Sequence, residues 1–108
     1  MRQLRQRYLA LKVESEQQVQ EKDVMTAVWD MVYQLYGEFG ASQTALHRVT
    51  WDNGRATLTV RCSHNMLEKV WAASAAITKI GGTSVAIRVV ATSGTLKALQ
   101  KKVQRRQG

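Results

Sequence analysis

Ser93-Gly94-Thr95, set between an alternating β-branched run and a lysine-rich segment, is the stretch of this chain best suited to hold an anion. A hydroxyl at Ser93 or Thr95 can cap a following helix, and Gly94 lets the backbone turn sharply between strand and helix. Such a junction presents backbone N–H groups at the positive end of a helix dipole, which suits a phosphate. Beyond it, Leu96, Leu99 and Val103 recur at i, i+3 and i+7, one apolar stripe for a core. The other helix face carries Lys97, Lys101, Lys102, Arg105 and Arg106. These residues suggest the nucleic-acid-binding edge of a small α/β domain. An ordinary capped helix with a solvated basic face has the same local pattern.

Candidates for bond-making chemistry are sparse. His47 and His64 stand apart, with no Cys or carboxylate spacing that suits a metal. Cys62 lacks the partner pattern of a nucleophile, and its place in a strand pattern reads as a small core residue. As the lone cysteine it makes no internal disulfide, which fits a cytoplasmic protein. No apolar run approaches the roughly 18–20 residues of a membrane span. The start, Met1 to Arg7, has no apolar stretch behind it of the kind a secretory signal needs. No catalytic residue, metal ligand or protein-bound cofactor is therefore expected.

The charge supports binding over catalysis. The chain of 108 residues has a formal net charge of +8, and that charge is segregated. Residues 1–12 carry Arg2, Arg5, Arg7 and Lys12 with no acid. Residues 13–38 carry Glu14, Glu16, Glu21, Asp23, Asp30 and Glu38 against Lys22 alone. From Lys79 onward there are seven cations and no acid. Cationic ends around an acidic middle fit a polyanion partner better than a charge spread for solubility.

The elements that position these residues follow from periodicity. Leu9, Leu11 and Val13 alternate with Tyr8, Ala10 and Lys12, a first strand over 5–14. After a Gln-rich loop, Val24, Val28, Met31, Val32 and Leu35 recur at helical spacing from Asp23 to a stop at Gly37. Met25, Trp29, Tyr33 and Tyr36 form a second stripe beside the first, either further core or a face for a partner protein. Residues 37–42 read as a turn-rich connection. Two strands, 45–51 and 55–62, flank Asp52-Asn53-Gly54, and Asn-Gly between alternating runs is a strong hairpin signal. A second helix begins near Ser63 or Asn65, with Asn65 and Glu68 at capping-box spacing. Leu67, Val70, Trp71, Ser74 and Ile77 make its buried stripe, and Gly81-Gly82 ends it.

The predicted order is β-α-β-β-α-β-α in one domain across 1–108. Its first six elements match an α+β, ferredoxin-like sandwich with a four-stranded antiparallel sheet and two helices on one face, followed by a basic helix. Alternation puts Tyr8, Ala10, Lys12, Arg48, Arg55, Thr57, Thr59, Arg61, Arg88 and Val90 on the opposite face, which is open unless the final helix or a partner covers it. RNA-recognition motifs share this topology but stack bases on central-strand aromatics. Here only Tyr8 could stack, so phosphate and shape recognition is expected instead. Acylphosphatases, also on this fold, use a Gly-rich loop after the first strand. Glu14-Ser15-Glu16-Gln17-Gln18 has no glycine and two carboxylates that repel an anion.

With those residues assembled, the chain resembles the small basic ribonuclease P subunits of the Pop-five / Rpp-fourteen family, called protein component 2 in archaea. The resemblance rests on Arg5-Gln6-Arg7-Tyr8-Leu9, Tyr36-Gly37-Glu38-Phe39-Gly40-Ala41 and Val60-Arg61-Cys62. Val89-Val90-Ala91-Thr92-Ser93-Gly94-Thr95-Leu96, leading into a Lys-rich helix, completes it. Without the long acidic tail of eukaryotic members, the chain looks archaeal. The resemblance implies an RNA-recognition-motif-like, non-catalytic subunit that binds ribonuclease P RNA. It also implies a TIM-barrel-like Rpp-thirty partner, contact with precursor transfer RNA only indirectly, and Mg²⁺ on the RNA. Expected RNA contacts are Arg5, Arg7, Arg61, Arg88, Lys97, Lys101 and Lys102, with Ser93, Gly94 and Thr95 as a phosphate cradle. Met25, Trp29, Tyr33 and Tyr36 are the expected partner face. The other reading is an assembly module in a ribonucleoprotein with no direct RNA role.

Overall fold

The computed structural model describes residues 5–107, with side chains described through Arg105; Arg106, expected on the basic face, lies outside those side chains. The central strand, β1 (Gln6–Ser15), pairs antiparallel with β3 (Thr57–Ser63) on one side and β5 (Thr83–Ser93) on the other. Its alternation explains why it takes the middle: Leu9, Leu11 and Val13 point to one face, Tyr8, Ala10 and Lys12 to the other, and Leu9, Ala10 and Leu11 are all fully buried. β2 (His47–Asp52) and β4 (Lys79–Ile80) form the edges, giving the order β2-β3-β1-β5-β4.

Two helices, α1 (Glu21–Gln43) and α2 (Leu67–Ala75), cover one face. Val24, Val28 and Val32 of α1 and Val70 and Ala73 of α2 close over Leu9, Leu11, Leu58, Val60 and Cys62 of the sheet. The helix α3 (Leu96–Gln107) lies against the opposite face. There Leu99 packs on Ala10, Val90 and Ala91, with Tyr8, Leu96 and Val103 at the margins. A bulge at the Ala10/Leu11 step of the β1–β5 pairing lets both Val90 and Ala91 turn toward α3. Of the two possible covers for this face, the chain's own final helix supplies one, and it roofs the face in part.

Several expectations are corrected. The sheet has five strands rather than four, because Lys79–Ile80 pairs with Ser84 and Thr83. Gly81-Gly82 forms the turn of that hairpin, both at positive φ, and α2 ends earlier, at Ala75. Gly37 does not stop α1. It kinks the helix at φ 75°, ψ 179°, a conformation essentially confined to glycine, and the helix resumes to Gln43. Gly40 has its own reason, since a Cβ there would stand 2.7 Å from Tyr36 Cβ. The Asn65/Glu68 capping box does not form: a 3₁₀ turn over His64–Met66 leads into α2 with no side-chain cap. The Asn-Gly hairpin lies where expected, but its positive φ falls on Ala56, and Asp52 Oδ1 accepts the Arg55 N–H at 3.1 Å.

Candidate nucleic-acid interface

The sheet face under α3 is built in rungs, because paired residues of antiparallel strands face the same way. One rung runs His47, Arg61, Tyr8, Ser93 across β2, β3, β1 and β5. The next holds Thr50, Thr59, Ala10 and Ala91, and the third Asp52, Thr57, Lys12 and Arg88. Over the first rung sits the N-terminus of α3. Thr95 caps it, its hydroxyl accepting from the Ala98 N–H at 3.2 Å, while Ser93 Oγ accepts from the Thr95 N–H at 3.4 Å. Arg7 comes to the same place from β1: a Cβ on Gly94 would lie 3.0 Å from Arg7 Nη1. Arg7 and Gly94 therefore meet beside Ser93 and Thr95, and Ser93 shares its rung with Tyr8 and Arg61.

Along α3, Lys97, Lys101, Lys102 and Arg105 are exposed, opposite the buried Leu99. Lys102 Nζ donates to the Thr92 carbonyl at 2.8 Å, which fixes one ammonium against the end of β5. Arg5 is exposed, and its backbone carbonyl accepts from the His64 N–H at 2.8 Å. Between α3 and the β2–β3 strands a groove of about 410 Å³ runs over Thr57 and Thr59, with Arg55 and Asp52 at its margin.

Not every expected cation joins this cluster. Arg88 pairs with Glu14 at 2.9 Å at the far end of the face. Lys12 Nζ donates to the Arg55 carbonyl at 2.8 Å. Arg48 is corrected to the helix-bearing side: an irregularity between Arg48 and Thr50 sets Arg48 opposite Val60, and its guanidinium pairs with Glu21 of α1. Its hydrogen bond to Glu21 raises the Arg48 pKa further above its ordinary value. Arg61 Nε is buried and has no hydrogen-bond partner among the described residues. Cys62 is fully buried, and burial pushes its thiol up to about 11, which removes it as a nucleophile near neutrality. No grouping of His, Cys, Asp and Glu among the described residues could hold a metal. No helix there is long and apolar enough to cross a membrane.

The aromatic stripe of α1 divides. Met25, Trp29 and Tyr36 pack against the core, while Tyr33 is 48% exposed. Tyr36 ties α1 to α2, its hydroxyl donating to the Lys69 carbonyl at 3.1 Å with Lys69 Nζ 5.3 Å from the ring centre. Three exposed apolar residues escape the sequence pattern: Leu35, Phe39 and Trp71. Phe39, 79% exposed, follows the kink at Gly37 and so leaves the phase of the preceding turns. Spacing puts Trp71 in the buried stripe of α2, but Val70, Ala73 and Ser74 fill that role.

Comparison with known proteins agrees with this frame. The model of the Rpp14/Pop5 family matches residues 7–104. Ribonuclease P protein component 2 of Pyrococcus furiosus is 30% identical over 91% of this chain and 82% of its own. The protein of the same name from Archaeoglobus fulgidus is 31% identical over 91% and 87%, and that of Methanosarcina mazei 28% over 96% and 88%. Among solved structures, a chain of yeast ribonuclease MRP superposes with a TM-score of 0.70 at 14% identity, covering 99% of this chain and 95% of that one. That likeness concerns the fold. The family match takes in the strand that carries Arg7, the Tyr36–Ala41 kink and the Ser-Gly-Thr junction, and the chain belongs to the Rpp14/Pop5 family.

Proposed function

We propose that this chain is a non-catalytic, RNA-binding subunit of ribonuclease P. Its frame is the ferredoxin-like, RNA-recognition-motif-like sandwich with one added edge strand, in keeping with the strand order and two helices on a shared face. One observation carries the RNA reading: Arg7 is brought against Gly94 at the N-terminus of α3. A guanidinium beside the positive end of a helix is repelled by it, and an anion seated between them removes that repulsion. Ser93, Gly94 and Thr95 form the cradle, with Arg5, Arg61, Lys97, Lys101 and Lys102 extending the phosphate-binding surface. Arg88 contributes after giving up Glu14. Clustered cations of this kind neutralise phosphates where helices of a folded RNA pack, and so lower the Mg²⁺ needed to hold it. The RNA and its Mg²⁺ supply the cleavage of precursor transfer RNA. The protein supplies the fold of that RNA in the cytoplasm, together with a TIM-barrel-like Rpp-thirty subunit.

The exposure of Phe39, with Tyr33 and Leu35 nearby in α1, favours a protein-docking role beside this one. The apolar stripe of Met25, Trp29, Tyr33 and Tyr36 then steadies the docking helix, with Tyr33 reaching the partner. Cleavage of precursor transfer RNA by ribonuclease P RNA at limiting magnesium, with the Rpp-thirty partner present, tests the proposal. Rescue by this chain, lost when Lys97, Lys101 and Lys102 are neutralised, is the expected result. Partner binding with no rescue leaves only an assembly module.

A further inference from the structure

A second recognition surface lies at the edge of the sheet. β4 pairs with β5 only at Thr83 and Ser84, so the stretch from Val89 to Thr92 has no strand beside it on that side among the described residues. A groove of about 430 Å³ opens there, bounded by Trp71 of α2 on one wall and by Lys102 and Arg105 of α3 on the other. Trp71 is 44% exposed, a costly way to place an indole unless something covers it. Lys102 is held in place by its bond to the Thr92 carbonyl and keeps two further N–H donors.

We infer that this groove binds an unpaired nucleotide of RNA, with the base stacked on Trp71 and its phosphate between Lys102 and Arg105. The inference rests on the RNA-binding reading above and adds to it a preference for single strands. Three features select this occupant. A flat indole face accepts any base by stacking. Two cations with no acid in the same groove match a phosphate. Beyond the Thr92 carbonyl, which Lys102 occupies, the backbone groups of the β5 edge have no strand beside them among the described residues and can meet base edges, which in duplex RNA are already paired. An extended peptide could pair with the same edge, but it would leave the two cations without a counter-charge.

The test compares binding of a short unstructured oligouridylate with that of a blunt RNA duplex to the full chain. Trp71→Ala should weaken oligouridylate binding about tenfold, the usual scale for one stacked base, and leave duplex binding unchanged. Trp71→Phe, which keeps a stacking face, should restore most of the loss. Neutralising Lys102 and Arg105 together should lower the salt dependence of oligouridylate binding by roughly one phosphate contact. If the chain binds duplex and oligouridylate but Trp71→Ala changes neither, the nucleotide site is wrong while the RNA-subunit reading stands. The site is equally wrong if that substitution weakens binding of an extended peptide and leaves oligouridylate binding intact. If the intact chain binds neither RNA, both readings fall together.

Discussion

The helices α1 and α3 lie on opposite faces of one sheet and are built to opposite ends. α1 buries Val24, Val28 and Val32 completely in the large core, and its first turn carries Glu21 and Asp23. Its charge is used internally, as Glu21 holds Arg48 of β2. α3 rests on the small cluster of Ala10, Val90, Ala91 and Leu99, and its first turn has no acid. Its cations face outward, and those late in the helix are favoured by the negative end of its dipole. One helix holds the fold together. The other displays charge from a light attachment: Leu99 with Leu96 and Val103 at its margins, the Thr95 cap, and the bond of Lys102 to the Thr92 carbonyl.

Truncating the two attachments separates them. Leu58→Ala, in the large core, should cost about 3–5 kcal/mol in a single cooperative urea transition. Leu99→Ala should fall nearer to about 2 kcal/mol, because the adjoining groove lets the site relax, and amide exchange should show α3 loosening while β1 stays protected. Equal losses and a shared transition would show α3 to be as integral as α1. Neutralising Lys97, Lys101 and Lys102 together should leave stability nearly unchanged. The slope of log affinity for RNA against log salt should shrink by roughly two to three. Gly37→Ala forces an L-residue into a glycine-only conformation and should cost about 1–3 kcal/mol, read from thermal unfolding. Thr95→Ala removes the cap of α3 at about 1 kcal/mol, with a loss of helix signal confined to that segment.

A pH-dependent effect concerns Cys62. Its thiol stays protonated in the fold up to about 11, against an ordinary value of 9.0. Between those values the unfolded chain releases the proton first. Stability is therefore full below about pH 9 and declines as pH rises toward 11. Cys62→Ala should lose that slope, measured by urea unfolding across the range.

Where one period dominates, the sequence is legible. The alternation of Leu9, Leu11 and Val13 locates the central strand, and the i, i+3, i+7 spacing of Leu96, Leu99 and Val103 marks the buried face of α3. Thr95 is one of two hydroxyls able to cap that helix, and it does so. The misses share a cause: tertiary context decides what local residues leave open. Gly37 reads as a stop, yet the chain turns helical again beyond it, with Tyr36 beside the kink bonded to Lys69 of α2. Gly81-Gly82 reads as a helix end until Lys79 and Ile80 are seen to pair across it. Trp71 falls on a buried stripe by spacing, but the residues α2 buries are Val70, Ala73 and Ser74. Among the sheet's arginines the cations are visible in the sequence and their partners are not. The pairings of Arg88 with Glu14 and Arg48 with Glu21 depend on register and a strand irregularity that spacing does not encode.

The central place of β1 has a kinetic consequence. Leu9 lies opposite Val60 on one side and Thr92 on the other, so the middle of the sheet is completed only by partners far along the chain. Closing loops that long costs entropy before any contact rewards it. The hairpin of β2 and β3 can form early, but β1 stays half-paired until β5 arrives. During that interval the apolar side chains of β1 and its unpaired edge are open to other chains. Refolding should therefore be slow for a protein of this size and sensitive to concentration, and an added RNA should protect only molecules in which β5 has already docked.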